Sequence, residues 1–336
     1  RRRDGVDSEL PQNGLYKLSA VLLSASARVM SGTVRLTRGQ RCALLQREVK
    51  WAEEKAAAYR AAFSRIGVTH ADVKDFADMA RLPFWDAVAE EGAHAPFFML
   101  TLPLSGLMRM SMLRDAAEGG GHMHCYTQGD VARQVQVTTD MLAACGIHRA
   151  STVLLVGNAA DSRILDLQYA LDGLGATVLS CASAADALRL MDVAVPDTLI
   201  AWEHDLPVLE GTLQKMALYR LISIGTQVGA RESTRQMAAR LGACHMHLFT
   251  RAPMGALIGY HSGSGAGIHI EERLFLAEIV DAAGNSSTAD GGCGELVLST
   301  IAAEAMPVLR YRMGLRVRLM RGQDCSGNEK IWVAEA

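Results

Sequence analysis

The stretch GELVLSTIAAEAMPVLRYRMGLRVR, Gly294 to Arg318, decides how this chain is read. Glu295–Thr300 is a strand-like run. A polar crossing follows, and then the dense cluster Arg310-Tyr311-Arg312, which ends at Met313-Gly314-Leu315. The surrounding chain is β-rich. Ala256–Tyr260, Leu274–Val280, Leu296–Ser299 and Leu315–Leu319 read as strands, with turns at Asp281 to Asn285 and at Asp290-Gly291-Gly292.

Upstream, between Asp130 and Leu248, the pattern changes to alternating apolar runs and helical segments. The runs are Val153–Val156, Thr177–Leu179, Thr198–Ala201, Leu221–Ile224 and Met246–Phe249. Strands that are apolar throughout suit a parallel sheet covered on both faces. The segments between them, such as Ala184–Val193 and Glu232–Leu241, have the length of right-handed crossover helices. Thr127 to Asp130 resembles a capping box opening a helix through Val131, Val135, Leu142 and Cys145. From Leu36 a long helix sets Leu45, Val49, Ala52, Ala56, Tyr59 and Phe63 along one face until Gly67 ends it. That spacing reads as a helix docked on a globular core in preference to a coiled coil. Residues 1–14 read as a loose tail and Leu15–Met30 as a short helix.

The fold class expected is α/β: mostly parallel doubly wound sheets with helices on both faces, followed by a β-rich subdomain. The α/β part spans 36–254 and the β-rich part 255–320 of the same large domain, between an N-terminal tail and short helix at 1–35 and a C-terminal tail at 321–336. The 336 residues can bury a sizeable core. A hydrophobic content of 49% with 21% charged residues is an ordinary globular balance. The formal charge of -2 gives no electrostatic reason to expect nucleic acid or an anionic membrane. Seven scattered cysteines without a CxxC pair favour a reduced, cytoplasmic setting. The apolar run Leu18–Val29 is too short and too interrupted to span a bilayer.

The opening stretch resembles the phenylacetate-CoA ligase branch of the adenylate-forming (AMP-binding) enzymes, whose passage reads like GELVLT and then EAMPLIRYRTGD. The same family opens with a helix ending YRxxF, a GV turn, an LPF segment and a PFG-like stretch. Here Tyr59-Arg60, Phe63, Gly67-Val68, Leu82-Pro83-Phe84 and Ala95-Pro96-Phe97-Phe98 follow in that order. The resemblance implies an enzyme that joins a carboxylate to ATP and then to a thiol, with ATP and Mg²⁺ as cofactors.

It also implies four nucleotide-handling segments, and each is altered. The family's phosphate loop is of the SSGTTGKP kind, where backbone N–H groups, hydroxyls and a Lys surround the phosphates. Its equivalent, Arg114 to His122, keeps Gly119, Gly120 and Gly121 but has no hydroxyl and no Lys, and it carries Asp115 and Glu118. It reads as a flexible surface loop. The GAEP motif, which helps enclose adenine, becomes Gly225-Thr226-Gln227-Val228. The YGLSE motif, whose Glu holds Mg²⁺, becomes Phe249-Thr250-Arg251-Ala252-Pro253. The ribose-binding Asp of RYRTGD becomes Leu315, while Arg310 and Arg312 match the pattern and read as surface charges with acidic neighbours. In this family a smaller cap domain bearing a catalytic Lys follows, and its absence is expected here. The favoured reading is a degenerate ligase relative kept for binding, assembly or regulation, with a small carboxylate or acyl ligand and a homodimer or partner protein in view. A working ligase is the alternative. A third reading is Zn²⁺ held by the near-mirror clusters His122/His124 and Cys244/His245/His247, since each His pair would share a strand face.

Overall fold

The computed structural model describes residues 36–92, 97–115, 121–261, 267–323 and 329–336. The N-terminal tail and the Leu15–Met30 helix lie outside the described residues.

Two helices open the described chain, α1 (Arg38–Lys55) and α2 (Ala57–Ile66). Thr37 caps α1 in a capping box with Gln40, which meets two of the orphan N–H groups at the helix start. The single long helix expected is broken at Ala56, where the backbone turns extended. Arg60 satisfies carbonyls freed at the break, donating to Glu53 O at 3.3 Å and Glu54 O at 2.7 Å. Leu45, Val49, Ala52, Ala56, Tyr59 and Phe63 are all buried, so the predicted face does dock on a core. Gly67, at φ 70°, ends α2 in the left-handed conformation that a side chain would resist.

Next come α3 (Trp85–Gly92), the two-stranded antiparallel sheet of β1 (Arg109–Leu113) and β2 (His122–Tyr126), and α4 (Gln128–Ala144). The capping box at Thr127 and Asp130 is present. The alternating part follows as β3 (Thr152–Val156), α5 (Ser162–Leu174), β4 (Thr177–Cys181), α6 (Ala184–Met191), β5 (Thr198–Trp202), α7 (Leu206–Leu213), β6 (Arg220–Gly225), α8 (Glu232–Leu241) and β7 (Cys244–Thr250). β4, β3, β5, β6 and β7 pair in parallel, in that order. Their alternate residues feed two cores. Val153, Leu155, Ile200 and Ile222 face Met141, Leu142, Leu167 and Leu171 of α4 and α5. Leu154, Val156, Leu199 and Leu221 face Ala187, Leu209 and Met237 of α6, α7 and α8. This two-sided burial is why these strands show no polar alternation in sequence.

The β-rich part contains β8 (Leu257–His261), β9 (Ile268–Ile270), β10 (Phe275–Val280), β11 (Ser286–Ser287), β12 (Cys293–Thr300), β13 (Tyr311–Gln323) and β14 (Glu329–Glu335). β8 pairs antiparallel with β7, so both halves share one 12-stranded sheet ordered β11-β10-β12-β13-β14-β9-β8-β7-β6-β5-β3-β4. The segment read as a C-terminal tail holds β14, which lies between β13 and β9. Ile331 and Val333 alternate into the core, a short apolar pattern that the polar residues before it obscure.

The polar crossing at 301–309 is clamped by buried groups. Tyr59 donates its hydroxyl to Pro307 O at 2.8 Å and accepts Leu309 N–H at 3.0 Å. Asp130 accepts Glu304 N–H at 2.8 Å and Ala305 N–H at 3.0 Å, and Glu48 accepts Ala303 N–H at 3.0 Å and the Thr300 hydroxyl. The conformation of this stretch is therefore fixed by buried hydrogen bonds. Tyr59→Phe is expected to cost roughly 2 kcal/mol, because it strips a partner from two buried backbone groups. Urea denaturation would show the loss as a lower midpoint at unchanged slope.

Candidate functional site

Among the described residues, Asp115 contacts Ala252, Arg251 contacts Met313, and Gln227 and Val228 line a recess with Gly314 and Leu315. Asp115, at the start of the phosphate-loop equivalent, is 2% exposed. Its Oδ1 accepts from Arg163 Nη1 at 2.9 Å and its Oδ2 from Ala252 N–H at 2.9 Å. Arg163 lies in the first turn of α5, where the helix dipole disfavours a cation. It is held there by Asp161, the N-cap, at 2.7 Å, by Arg114 O at 2.9 Å, and by the Trp202 ring 4.7 Å from its Cζ. The reading of this segment as a flexible surface loop is corrected at its start: a carboxylate without hydroxyls or Lys around it was drawn inward by a buried guanidinium. Gly119 and Gly120 lie outside the described residues. Gly121 is exposed just before β2.

Gly225 closes β6 beneath His247. A Cβ there would meet His247 Cε1 at 2.7 Å and Glu203 Oε2 at 2.8 Å, so packing alone accounts for the surviving glycine. Thr226 follows it, half-buried. Phe249 is fully buried in the sheet core, and Thr250 is buried with its hydroxyl donated to Ala256 O at 2.7 Å. Pro253 is buried and offers a cation no side-chain donor atom. Arg251 donates to Met313 O at 2.9 Å, joining the third segment to the fourth. Leu315 packs its side chain against the core. Beside it is a depression of about 280 Å³ lined by Gln227, Val228, Gly314, Leu315, Arg316 and Glu335. Gln227 and Val228 thus share one recess with Gly314 and Leu315. The cavity between Tyr126, Arg133, Met254 and Phe275 is about 30 Å³.

Arg310 is not a surface charge. It is 3% exposed, at φ 55°, with Nη1 donating to Leu82 O at 2.6 Å and Ala80 O at 3.1 Å, Nε 3.5 Å from Glu278, and Cζ 4.3 Å over the Phe84 ring. Its guanidinium satisfies the Ala80 and Leu82 carbonyls, which would otherwise need another donor. Arg312 is the exposed one, and its Nε donates to Glu295 at 2.9 Å.

The histidine pairs share faces as expected, but they do not assemble. His245 Nε2 and His247 Nδ1 lie 3.0 and 2.9 Å from Ser223 Oγ on β6, and Cys244, next along β7, points to the opposite face. His124 is buried against Tyr126, with ring centroids 4.8 Å apart, and His122 lies beside Trp85 at 6.5 Å. Burial pushes His124, His245 and His247 down to about 4, so all three are neutral near pH 7. Among the described residues no group of three or more His, Cys, Asp or Glu could hold a metal ion. Sequence reasoning missed Arg163, Ser223, Glu203 and Glu48. A cation in the first turn of a helix, at Arg163, was the one available signal.

The fold matches that of solved CoA ligases. The 2-hydroxyisobutyryl-CoA ligase solved in an open conformation with 2-HIB-AMP and CoA superposes with a TM-score of 0.75 at 16% identity, over 88% of this chain and 73% of that one. No family model matches the chain. The phenylacetate-coenzyme A ligase of Aromatoleum evansii is 27% identical over 295 residues, covering 82% of this chain and 65% of the relative. That of Pseudomonas putida is 24% identical over 289 residues, covering 83% and 65%. The chain is thus similar in sequence to phenylacetate-CoA ligases and shares its fold with a solved CoA ligase. It spans about two thirds, 65%, of the length of these curated relatives. Among the described residues no helix is long and apolar enough to cross a membrane.

Proposed function

We propose that this protein has lost ATP-dependent adenylation and serves a binding, assembly or regulatory role, with a small carboxylate or acyl group as its ligand. The observation that carries this is Asp115: a buried carboxylate paired to Arg163 and to Ala252 N–H stands where the family surrounds phosphates with donors. The residues present do not fit Mg²⁺-ATP in the family's manner. Pro253 replaces the Mg²⁺-binding Glu, and Leu315 presents an isobutyl group where the ribose hydroxyls need an acceptor, a loss of about 1–3 kcal/mol for each buried hydroxyl left unpaired. The cavity of about 30 Å³ has room for a single water. The 280 Å³ depression is just under the size of ordinary ligand sites, roughly 300–1,000 Å³.

The names of the relatives favour a second reading, a working ligase that converts a carboxylate and ATP to an acyl-adenylate and then to a thioester. Thermal unfolding with millimolar Mg²⁺-ATP separates the two, because a nucleotide at 100 times its dissociation constant would add about 2.7 kcal/mol. The expected result is no rise in Tm and no carboxylate-dependent release of pyrophosphate. A clear rise accompanied by pyrophosphate release would establish the ligase.

A further inference from the structure

The β1–β2 sheet fixes one face on α5. Arg109 Nη1 donates to Asp166 at 2.6 Å, Ser111 Oγ donates to Ala160 O at 2.7 Å and accepts Ser162 N–H at 3.1 Å, and the Tyr126 hydroxyl lies 2.6 Å from Ser162 Oγ. Strand alternation sends Met110 and Met112 to the other face, together with Met108 just ahead of β1. The register sets Met110 opposite Cys125 and Met112 opposite Met123. The strand side chains on that face, Met110, Met112, Met123 and Cys125, all carry sulfur, as does Met108 just ahead of β1. Met108, Met110 and Met112 are 49%, 58% and 49% exposed, Met123 is half-buried and Cys125 is buried beneath them.

An apolar strand face ordinarily draws on Val, Ile and aromatic residues, which suit pleated backbone better than Met. What these five share beyond apolarity is a soft donor atom. We propose that this face binds a soft monovalent cation, Cu(I), through the thioethers of Met110, Met112 and Met123. Opposite side chains in an antiparallel pair have Cβ atoms about 4.5–5.5 Å apart and diagonal ones about 7–8 Å. Three rotatable bonds in each methionine let the sulfurs converge on one ion. Thioether ligands select Cu(I) over the harder divalent metals. Three neutral donors release no proton on binding, so affinity should be level with pH, unlike that of a thiolate site. Arg114, an exposed cation, and Met112 both border Gly121.

The test uses Ag(I) as a redox-inert stand-in for Cu(I), with protein labelled at the methionine methyls and its accessible thiols blocked with N-ethylmaleimide. The methyl resonances of Met110, Met112 and Met123 are expected to shift together and saturate at one equivalent, equally at pH 5.5 and 7.5. The near-isosteric double variant Met110→Leu/Met112→Leu should fold normally, judged by its remaining methyl spectrum, and bind about tenfold more weakly or worse. Methyls on this face that stay unmoved while silver binds elsewhere would overturn the proposal. So would affinity unchanged in the double variant, or shifts confined to methionines outside the face, which would leave the face an apolar surface only.

Discussion

Replacing Arg163 with methionine is expected to destabilise the fold by about 3–5 kcal/mol, the usual cost of removing one partner from a buried ion pair. Both Arg163 and Asp115 have fully buried side chains, so the carboxylate left behind has neither water nor a counter-ion. Methionine keeps an apolar contact with Trp202, so the loss would report charge more than volume. The double variant Asp115→Leu/Arg163→Met should recover much of the deficit, because it removes the stranded charge. Denaturant midpoints at constant slope measure both effects. A single variant within about 1 kcal/mol of the parent would mean that water reaches the pair. The phosphate-loop segment would then be open, and the case for lost adenylation would lose its main support.

The second large effect is the pH profile. His124, His245 and His247 fall from 6.5 to about 4 on folding, chiefly by burial, so between those values the unfolded chain binds more protons and stability drops as pH falls. Glu48 behaves oppositely. Burial raises it from 4.5 to about 8, against the lowering effect of its bonds from Thr300 and Ala303, so the folded state holds the extra proton and stability drops as pH rises through that window. Asp166, raised from 3.8 to about 6 mainly by burial, adds to the second trend at its acid end. Three groups outweigh two below 6.5, and Glu48 acts alone among these five above it. Maximum stability is therefore expected near pH 6.5, with a loss of roughly 2 kcal/mol by pH 8, at about 1.4 kcal/mol for each pKa unit traversed. Glu48→Gln, whose amide can still accept from Ala303 N–H and donate to Thr300, should flatten the alkaline limb and steepen the acid limb between about pH 4.5 and 6.5. Tm measured from pH 4 to 9 for both proteins decides it. A parent profile that rises through pH 8 would rule out a protonated Glu48.

Much of the fold was legible in the chain. Apolar runs such as Val153–Val156 are buried on both faces, and such burial leaves a periodicity-free signature that sequence reading can use. β1, β2, β9 and β14 were missed because each is short or mixes polar and apolar residues in a sheet exposed on one side or at an edge. For the candidate site, the segments could be placed only by resemblance; the structure shows Asp115 against Ala252 and Arg251 against Met313. Sequence could not reveal the fate of their charges. Arg310 and Arg312 are two residues apart, yet one is sealed under Phe84 against Leu82 O and the other pairs with Glu295 in solvent. Only the packing of the 80–84 segment distinguishes them. Asp115 likewise looks like any loop carboxylate until Arg163, 48 residues away in sequence, closes over it.

The place of β14 gives the molecule an order of assembly. Among the described residues it is the strand that joins the β11-β10-β12-β13 block to β9 and the rest of the sheet. Until residues 329–335 have left the ribosome, the nascent chain carries two half-sheets, each with a bare edge at β13 or β9. Such edges invite pairing with other chains. Chaperone protection during synthesis would matter most in that interval, before β14 makes one sheet of two.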